Sequence, residues 1–291
     1  MKAVACELPR AEGVPLSRFS RSELHRLVIE RGVTDASPAT IMRWLEEDSL
    51  KPWQHRSWIF PSDPAFADKA GPVLDLYQGR WEGKLLRPGD FVICADEKPS
   101  IQARRRIYET LAPEPGSRGQ RVEHTYARMG ALTYLAALDI GRKDGRRPRV
   151  SGRSEPKGGI AAFDRLVWQV MTKEPYASAR RVFWIVDNGS AHRGQRSVDR
   201  LQGRWPNLTL VHLPTHASWL NQIEIFFSIL QRKVLTPNDY EDLAVLARTL
   251  NEFERHWNDV AEPFEWNFTR DDLAELIERL GQCEAALARA A

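Results

Sequence analysis

The 291-residue sequence predicts an α/β fold, a mixed sheet with helices on both faces, preceded by a small helical segment. Three observations carry that reading. Through the middle of the chain, apolar runs of strand length alternate with helical patterns. Two of those runs lead straight into an aspartate, Phe91-Val92-Ile93-Cys94-Ala95 into Asp96 and Val182-Phe183-Trp184-Ile185-Val186 into Asp187. Charge is also partitioned: residues 96–238 hold 24 basic and 13 acidic side chains, residues 1–95 hold 13 of each, and residues 239–291 hold 5 and 13. A net of +11 therefore surrounds the stretch that carries the aspartates.

The elements follow in order. Ser20-Arg21-Ser22-Glu23 is a capping box, and Leu24, Leu27, Val28 and Ile29 continue at helical spacing to a stop at Gly32. Ser37-Pro38 starts a second helix, whose Ile41, Trp44 and Leu45 face inward while Thr40 and Arg43 face out. Two short helices with a tight link fit a helix-turn-helix, in which Thr40 and Arg43 would meet DNA; a plain helical hairpin has the same pattern. Residues 51–66, rich in Trp, Pro, Arg and His, read as a linker or extended arm, and Asp63 to Tyr77 as a helix. Then come a strand ending at Asp96 and an irregular basic stretch from Arg104 to Arg128. A strand over Ala131–Ile140 and a short strand near Arg149-Val150 follow. Ile160–Thr172 is a helix, Arg181–Val186 a strand ending at Asp187, and His192–Trp205 a polar helix. Leu208–Leu213 is a strand and Trp219–Leu235 a helix, before helical patterns at Glu241–Trp257 and Asp271–Arg289. The boundaries this sets are a DNA-binding segment over 1–60, a linker helix over 61–90, a catalytic domain over 91–238 and a C-terminal helical region over 239–291.

Composition excludes several classes. Cys6, Cys94 and Cys283 form no C-x-x-C pair, so neither a disulfide framework nor a zinc knuckle is expected, which fits a reducing cytoplasm. No apolar run approaches the roughly 18 residues of a membrane span. There is no G-x-S-x-G elbow for a serine hydrolase. His192, His212 and His216 match no common zinc spacing, and His212 and His216 read as packing or DNA-contact residues.

A carboxylate beside a core is costly unless it is hydrogen-bonded, paired or bound to metal. Glu224 is the third such acid. On the Trp219–Leu235 helix it shares a face with Leu220, Ile223 and Phe227, as a metal ligand or as an edge residue paired with Arg232 or Lys233. Asp187-Asn188-Gly189 at a strand end is a site geometry, or a turn that caps the next helix. Asp96-Glu97-Lys98 alone is equally a turn with a local ion pair. Taken together, the three acids supply hard oxygen donors without cysteine, a set that selects Mg²⁺, with Mn²⁺ substituting, and two ions fit phosphodiester chemistry. A basic field around such a pocket suits a polyanion. Arg104, Arg105, Arg106, Arg146, Arg147 and Arg149 are the candidate phosphate contacts.

At these residues the chain resembles the bacterial insertion-sequence branch of the mariner-type DDE transposases. The resemblance rests on Val92 to Lys98, on Phe183 to Gly194 with its Asp187-Asn188-Gly189-Ser190-Ala191-His192 core, and on His216 to Ser228. It runs from about Ser20 to Arg270. It implies an RNase H-like five-stranded mixed sheet with Asp96, Asp187 and Glu224 as the catalytic, metal-binding triad. It further implies cleavage at terminal inverted repeats and strand transfer into target DNA by a DNA-bound homodimer or higher oligomer, with no role for a membrane. The family usually carries two helix-turn-helix units before the core; here one is found, close to the first residue, which implies a shortened N-terminal region. Two other functions remain open: a transposon-derived DNA-binding protein without catalysis, and a stand-alone RNase H-like nuclease.

Overall fold

The computed structural model describes residues 1–290 apart from 49, 55–62, 117, 118, 143 and 144, so the central part of the expected linker lies outside the described residues. The chain divides into two compact units, Met1–Phe60 and Pro61–Ala291.

In the first unit, α1 (Lys2–Ala5), α2 (Arg21–Glu30) and α3 (Pro38–Glu47) enclose Val4, Phe19, Leu24, Val28, Ile41 and Leu45. The N-terminal signals act as the sequence predicts. The Ser20 hydroxyl accepts from Glu23 N at 3.3 Å while the Glu23 carboxylate accepts from Ser20 N at 2.7 Å. Ser37 caps α3 through Thr40 N, with Pro38 at the first helical position. Ile29 is 39% exposed, because it lies off the stripe that Leu24 and Val28 define.

The second unit is built on a five-stranded mixed sheet, the RNase H-like sheet that the resemblance implies. Its strands are β3 (Asp90–Arg106), β4 (Tyr126–Asp139), β5 (Arg149–Glu155), β6 (Arg181–Val186) and β7 (Leu208–His212), in the order β5-β4-β3-β6-β7. β3, β4 and β5 pair antiparallel, while β6 and β7 run parallel to β3. A small hairpin, β1 (Arg80–Trp81) and β2 (Lys84–Leu85), precedes it. Alternation along the strands divides the core in two. Val92 and Cys94 of β3 and Phe183 and Ile185 of β6 pack with α4 (Phe66–Tyr77), α7 (Ile223–Lys233), α8 (Leu243–Val260) and α9 (Arg270–Ala290). Ile93, Ala95, Val182, Trp184 and Val186 pack on the other face with α5 (Ile160–Met171) and α6 (Gln195–Arg204). Trp184, Phe183 and Phe226 are completely buried, each contributing about 2–3 kcal/mol of hydrophobic stabilisation.

Three elements differ from the sequence expectation. β3 does not stop at Asp96; it runs on to Arg106 because β4 pairs with it from Ile93 to Arg106, so the expected irregular basic stretch begins and ends as strand. Pro99, which cannot donate to a ladder, is absorbed in a register shift between Lys98 and Ile101, where Ser100 takes φ +56. The expected helix over Trp219–Leu235 is a 3₁₀ turn at Ser218–Leu220 followed by α7, broken at Asn221, whose backbone is extended (ψ 110). Finally, α6 begins at Gln195, which leaves His192 in the loop before it.

Candidate active site

The parallel pairing of β3 and β6 matches Cys94 with Ile185. Asp96 lies two residues further along β3, on the sheet face of Cys94, and Asp187 is the first residue past the end of β6, on a neighbouring strand roughly 4.8 Å away. α7 covers that face, and its first turn carries Glu224. A negative side chain in a first turn is favoured by the helix dipole.

The three acids sense one another. Burial pushes the Asp96 carboxyl up to about 7, and the neighbouring charges of Asp187 and Glu224 add to that, against a hydrogen bond from Glu97 N. Glu224 is raised by burial and by Asp187, and lowered in part by the Lys98 ammonium. Asp187 is held below the ordinary carboxylate range, chiefly by its hydrogen bond with His192 and then by Gly189 N. An anionic Asp187 beside a carboxyl poised near neutrality is an arrangement that a divalent cation would relieve. The donor set is all hard oxygen, and Asp187 keeps Oδ2 clear of the hydrogen bonds that occupy Oδ1. Among the described residues, no group of three or more His, Cys, Asp or Glu side chains is already gathered closely enough to hold an ion.

Several supporting residues were not assigned these roles from sequence. His192, almost fully buried against Phe163, meets Asp187 Oδ1 through Nε2, while its Nδ1 is buried without a partner. An ionised carboxylate can only accept, so Nε2 carries the proton. His212 Nε2 donates to the His192 carbonyl at 2.6 Å and braces the loop from below. Gly189 lets this turn close, since a Cβ there would lie 2.8 Å from Asp187 Oδ1 and 3.0 Å from His192 Nε2. Asn188 donates its amide to the Leu213 carbonyl at 2.7 Å, tying the turn to the end of the neighbouring strand. Asn221, 1% exposed, donates to the Ala95 carbonyl at 3.1 Å, and its own carbonyl accepts Glu224 N at 3.0 Å. That one residue ties the helix bearing Glu224 to the strand position beside Asp96. The signal for Asn221 was the helix break itself, and the signal for His192 was the glycine-containing turn between it and Asp187.

The arginines do not gather. Arg104, Arg105 and Arg106 occupy β3 beyond the acids, with the Arg104 and Arg106 guanidinium groups over the Tyr126 ring at 4.6 and 5.1 Å. Arg149 opens β5 opposite Asp139, at the other end of the sheet. Arg147 donates to the Asp259 carbonyl. Arg146 stacks on Phe91 and donates to the Asp90 carbonyl at 3.1 Å, with Nε and Nη2 buried. In the first unit, the Thr40 hydroxyl is engaged with Ser37 at 3.0 Å and Arg43 is exposed.

Residues 92–246, more than half of the chain, match the family described as DDE superfamily endonuclease. Among solved structures, the chain is similar to the Mos1 mariner paired end complex with Mn, at 14% identity and a TM-score of 0.48, covering 94% of this chain and 80% of that one. It is also similar to the Mos1 strand transfer complex, at 13% identity and a TM-score of 0.45, covering 94% of this chain and 79% of that one. No curated protein matches it. Among the described residues, no helix is long and apolar enough to cross a membrane.

Proposed function

Because this chain belongs to the DDE superfamily endonucleases, we propose that it is the transposase of an insertion sequence of the mariner type, cutting DNA at the element's terminal inverted repeats and joining the freed end to target DNA. The observation that supports the reading is that Asp96, Asp187 and Glu224 lie near enough for the charges of Asp187 and Glu224 both to raise Asp96.

Asp96, Asp187 and Glu224 would hold Mg²⁺, or Mn²⁺ in its place, and a pair of ions fits the number of oxygen donors. When bound, the metal supplies Lewis-acid activation of the attacking and leaving oxygens of an in-line displacement. The chain's residues do the positioning. His192 fixes the Asp187 carboxylate and keeps it anionic, and Asn221 fixes the distance of the Glu224 helix from β3. Arg104, Arg105, Arg106, Arg147 and Arg149 are the candidate phosphate contacts of the second unit, and Thr40 and Arg43 those of the first. Assembly on DNA is as a homodimer or higher oligomer, in the cytoplasm of a bacterial cell.

The test is cleavage of a duplex carrying the ends that flank the coding sequence, with Mg²⁺ supplied. Wild type should nick and join; Asp96→Ala, Asp187→Ala and Glu224→Ala should each do neither while still binding the duplex. Normal cleavage by any one of them would remove that residue from the triad. Cleavage without joining would point to a stand-alone nuclease, and binding without cleavage by wild type to a DNA-binding protein that has lost its chemistry.

A further inference from the structure

A cavity of about 390 Å³ lies between the end of α4, the inner part of the sheet and the segment 261–269 that joins α8 to α9. That volume is in the range of sites that enclose small molecules. Tyr77, Val92, Ile140, Phe264 and Trp266 form its walls. The two aromatic residues with polar groups are already fixed. The Tyr77 hydroxyl donates to the Leu220 carbonyl at 2.6 Å, and Trp266 Nε1 donates to the Phe268 carbonyl at 2.9 Å. Their rings meet edge to face with centroids 5.0 Å apart. Beyond Trp266 the segment is pinned by the fork of Arg270 onto Asp75. The cavity is thus preformed by bonds that need no ligand.

Gln222, the N-cap residue of α7, lines it as well. It is 3% exposed, and its side-chain amide has no hydrogen-bond partner among the described residues. The Gln222 carbonyl on the backbone accepts from Ile225 N at 3.1 Å, so the unused donor and acceptor are those of the side chain. Both amide atoms stay accessible while the rest of the residue is covered. A nearly buried amide left unpaired is costly, so this one calls for a partner inside the cavity. Of the described lining residues, Arg142 alone is charged, and it is turned to backbone: its Nη1 donates to the Leu86 and Arg87 carbonyls at 3.3 and 3.0 Å. Apolar walls with one polar group that fixes orientation are the composition of a site for an uncharged ligand.

We propose that this cavity binds a small, flat, uncharged heteroaromatic molecule with a lactam edge, whose adjacent N–H and C=O pair with the Gln222 amide. A primary amide presents donor and acceptor together, and a lactam answers both at once. The rings of the ligand would lie against the walls that Val92, Ile140 and Phe264 provide. The site goes beyond the nuclease reading and does not rest on it, and its test uses neither metal nor DNA.

The experiment titrates 2-quinolinone, a bicyclic lactam, against the full chain in EDTA and reads Kd by ligand-observed NMR. Quinoline, which lacks the lactam, and quinoline-2-carboxylate, which is anionic, serve as the other two probes. 2-Quinolinone should bind with a Kd of about 0.1–1 mM, as suits a fragment of roughly eleven non-hydrogen atoms. Quinoline should bind about 10-fold more weakly. Gln222→Leu, close in size, should weaken 2-quinolinone by about 10-fold and leave quinoline unchanged. Ile140→Trp, which fills the cavity, should abolish binding of both, with circular dichroism and thermal melts showing that each variant is folded. Equal affinity of wild type for 2-quinolinone and quinoline overturns the lactam assignment, as does an unchanged Kd in Gln222→Leu. Tighter binding of quinoline-2-carboxylate overturns it in favour of an anion directed to Arg142. Binding that survives Ile140→Trp, or no saturable binding of any probe, overturns the site itself and leaves a cavity that holds only water.

Discussion

His192 shows how a single side chain sets the character of a site. Its contact with Asp187 keeps that carboxyl ionised, while the buried, unpartnered Nδ1 marks the cost of placing an imidazole there. His192→Ala is expected to raise the Asp187 pKa and to weaken Mn²⁺ binding by about 10- to 100-fold, as losing a residue that orients a metal ligand does elsewhere; calorimetric titration of Mn²⁺ into the purified protein measures it. Asn221→Ala should leave the buried Ala95 carbonyl without its donor and cost about 1–3 kcal/mol, read as a lower urea midpoint. Asp139 gives a pH dependence. Burial raises its pKa above the ordinary 3.8 despite Arg146 nearby and hydrogen bonds from Tyr176 and Gly141. The folded chain therefore binds that proton more tightly than the unfolded chain, so its contribution to stability is largest at low pH and falls as pH climbs from 3.8 through the raised folded value. Asp139→Asn should flatten that part of a stability–pH curve, measured by urea unfolding from pH 4 to 7. The three acids were legible from sequence because each interrupts an apolar run. Their supports were not, since Asn221 and His192 act through contacts made across the fold.

At the level of elements, the helical caps and the short buried strand β6 could be read directly, because their determinants are local: Ser20 with Glu23, Ser37 with Pro38, and five consecutive apolar residues before Asp187. The reach of β3 and β4 could not be read, because Arg104 to Arg106 are strand only by virtue of Tyr126 to Arg128 opposite them. The edge strand β5 was underestimated for a related reason. Its outward backbone groups are satisfied by side chains from helices: Asn258 bonds both Val150 N and O, Glu254 accepts from Gly152 N, and Gln169 donates to Gly152 O. Such capping removes the exposed ladder that an edge otherwise offers to other chains. Gly152 is needed there, since a Cβ would fall 1.8 Å from the Tyr134 hydroxyl of the neighbouring strand. Asn258→Ala should therefore cost about 1–2 kcal/mol and increase light scattering on partial unfolding, whereas a change in neither would show that α8 covers the edge by packing alone.

Across the whole molecule, the charge partition that suggested a polyanionic partner resolves into two arginine groups at opposite ends of one sheet. Their environments predict different behaviour. Arg105→Ala, on the exposed outer part of β3, should reduce the salt dependence of DNA binding with little effect on stability. Arg146→Ala should lower stability, by losing the Phe91 stack and the Asp90 carbonyl bond, and leave the salt slope as it was. Paired salt titrations and thermal melts of both variants check this. The C-terminal acidic region is also structural at its start, where Arg270 of α9 forks onto Asp75 of α4 and fills the space above Gly71. β3 itself changes neighbours along its length: β6 flanks it over Asp90–Cys94, β4 flanks it from Ile93 outward, and Asn238 to Tyr240 take up the other edge near Arg104. Asp96 therefore stands two residues past the point where β3 loses β6, between the inner part of the strand and the part that reaches outward beside β4.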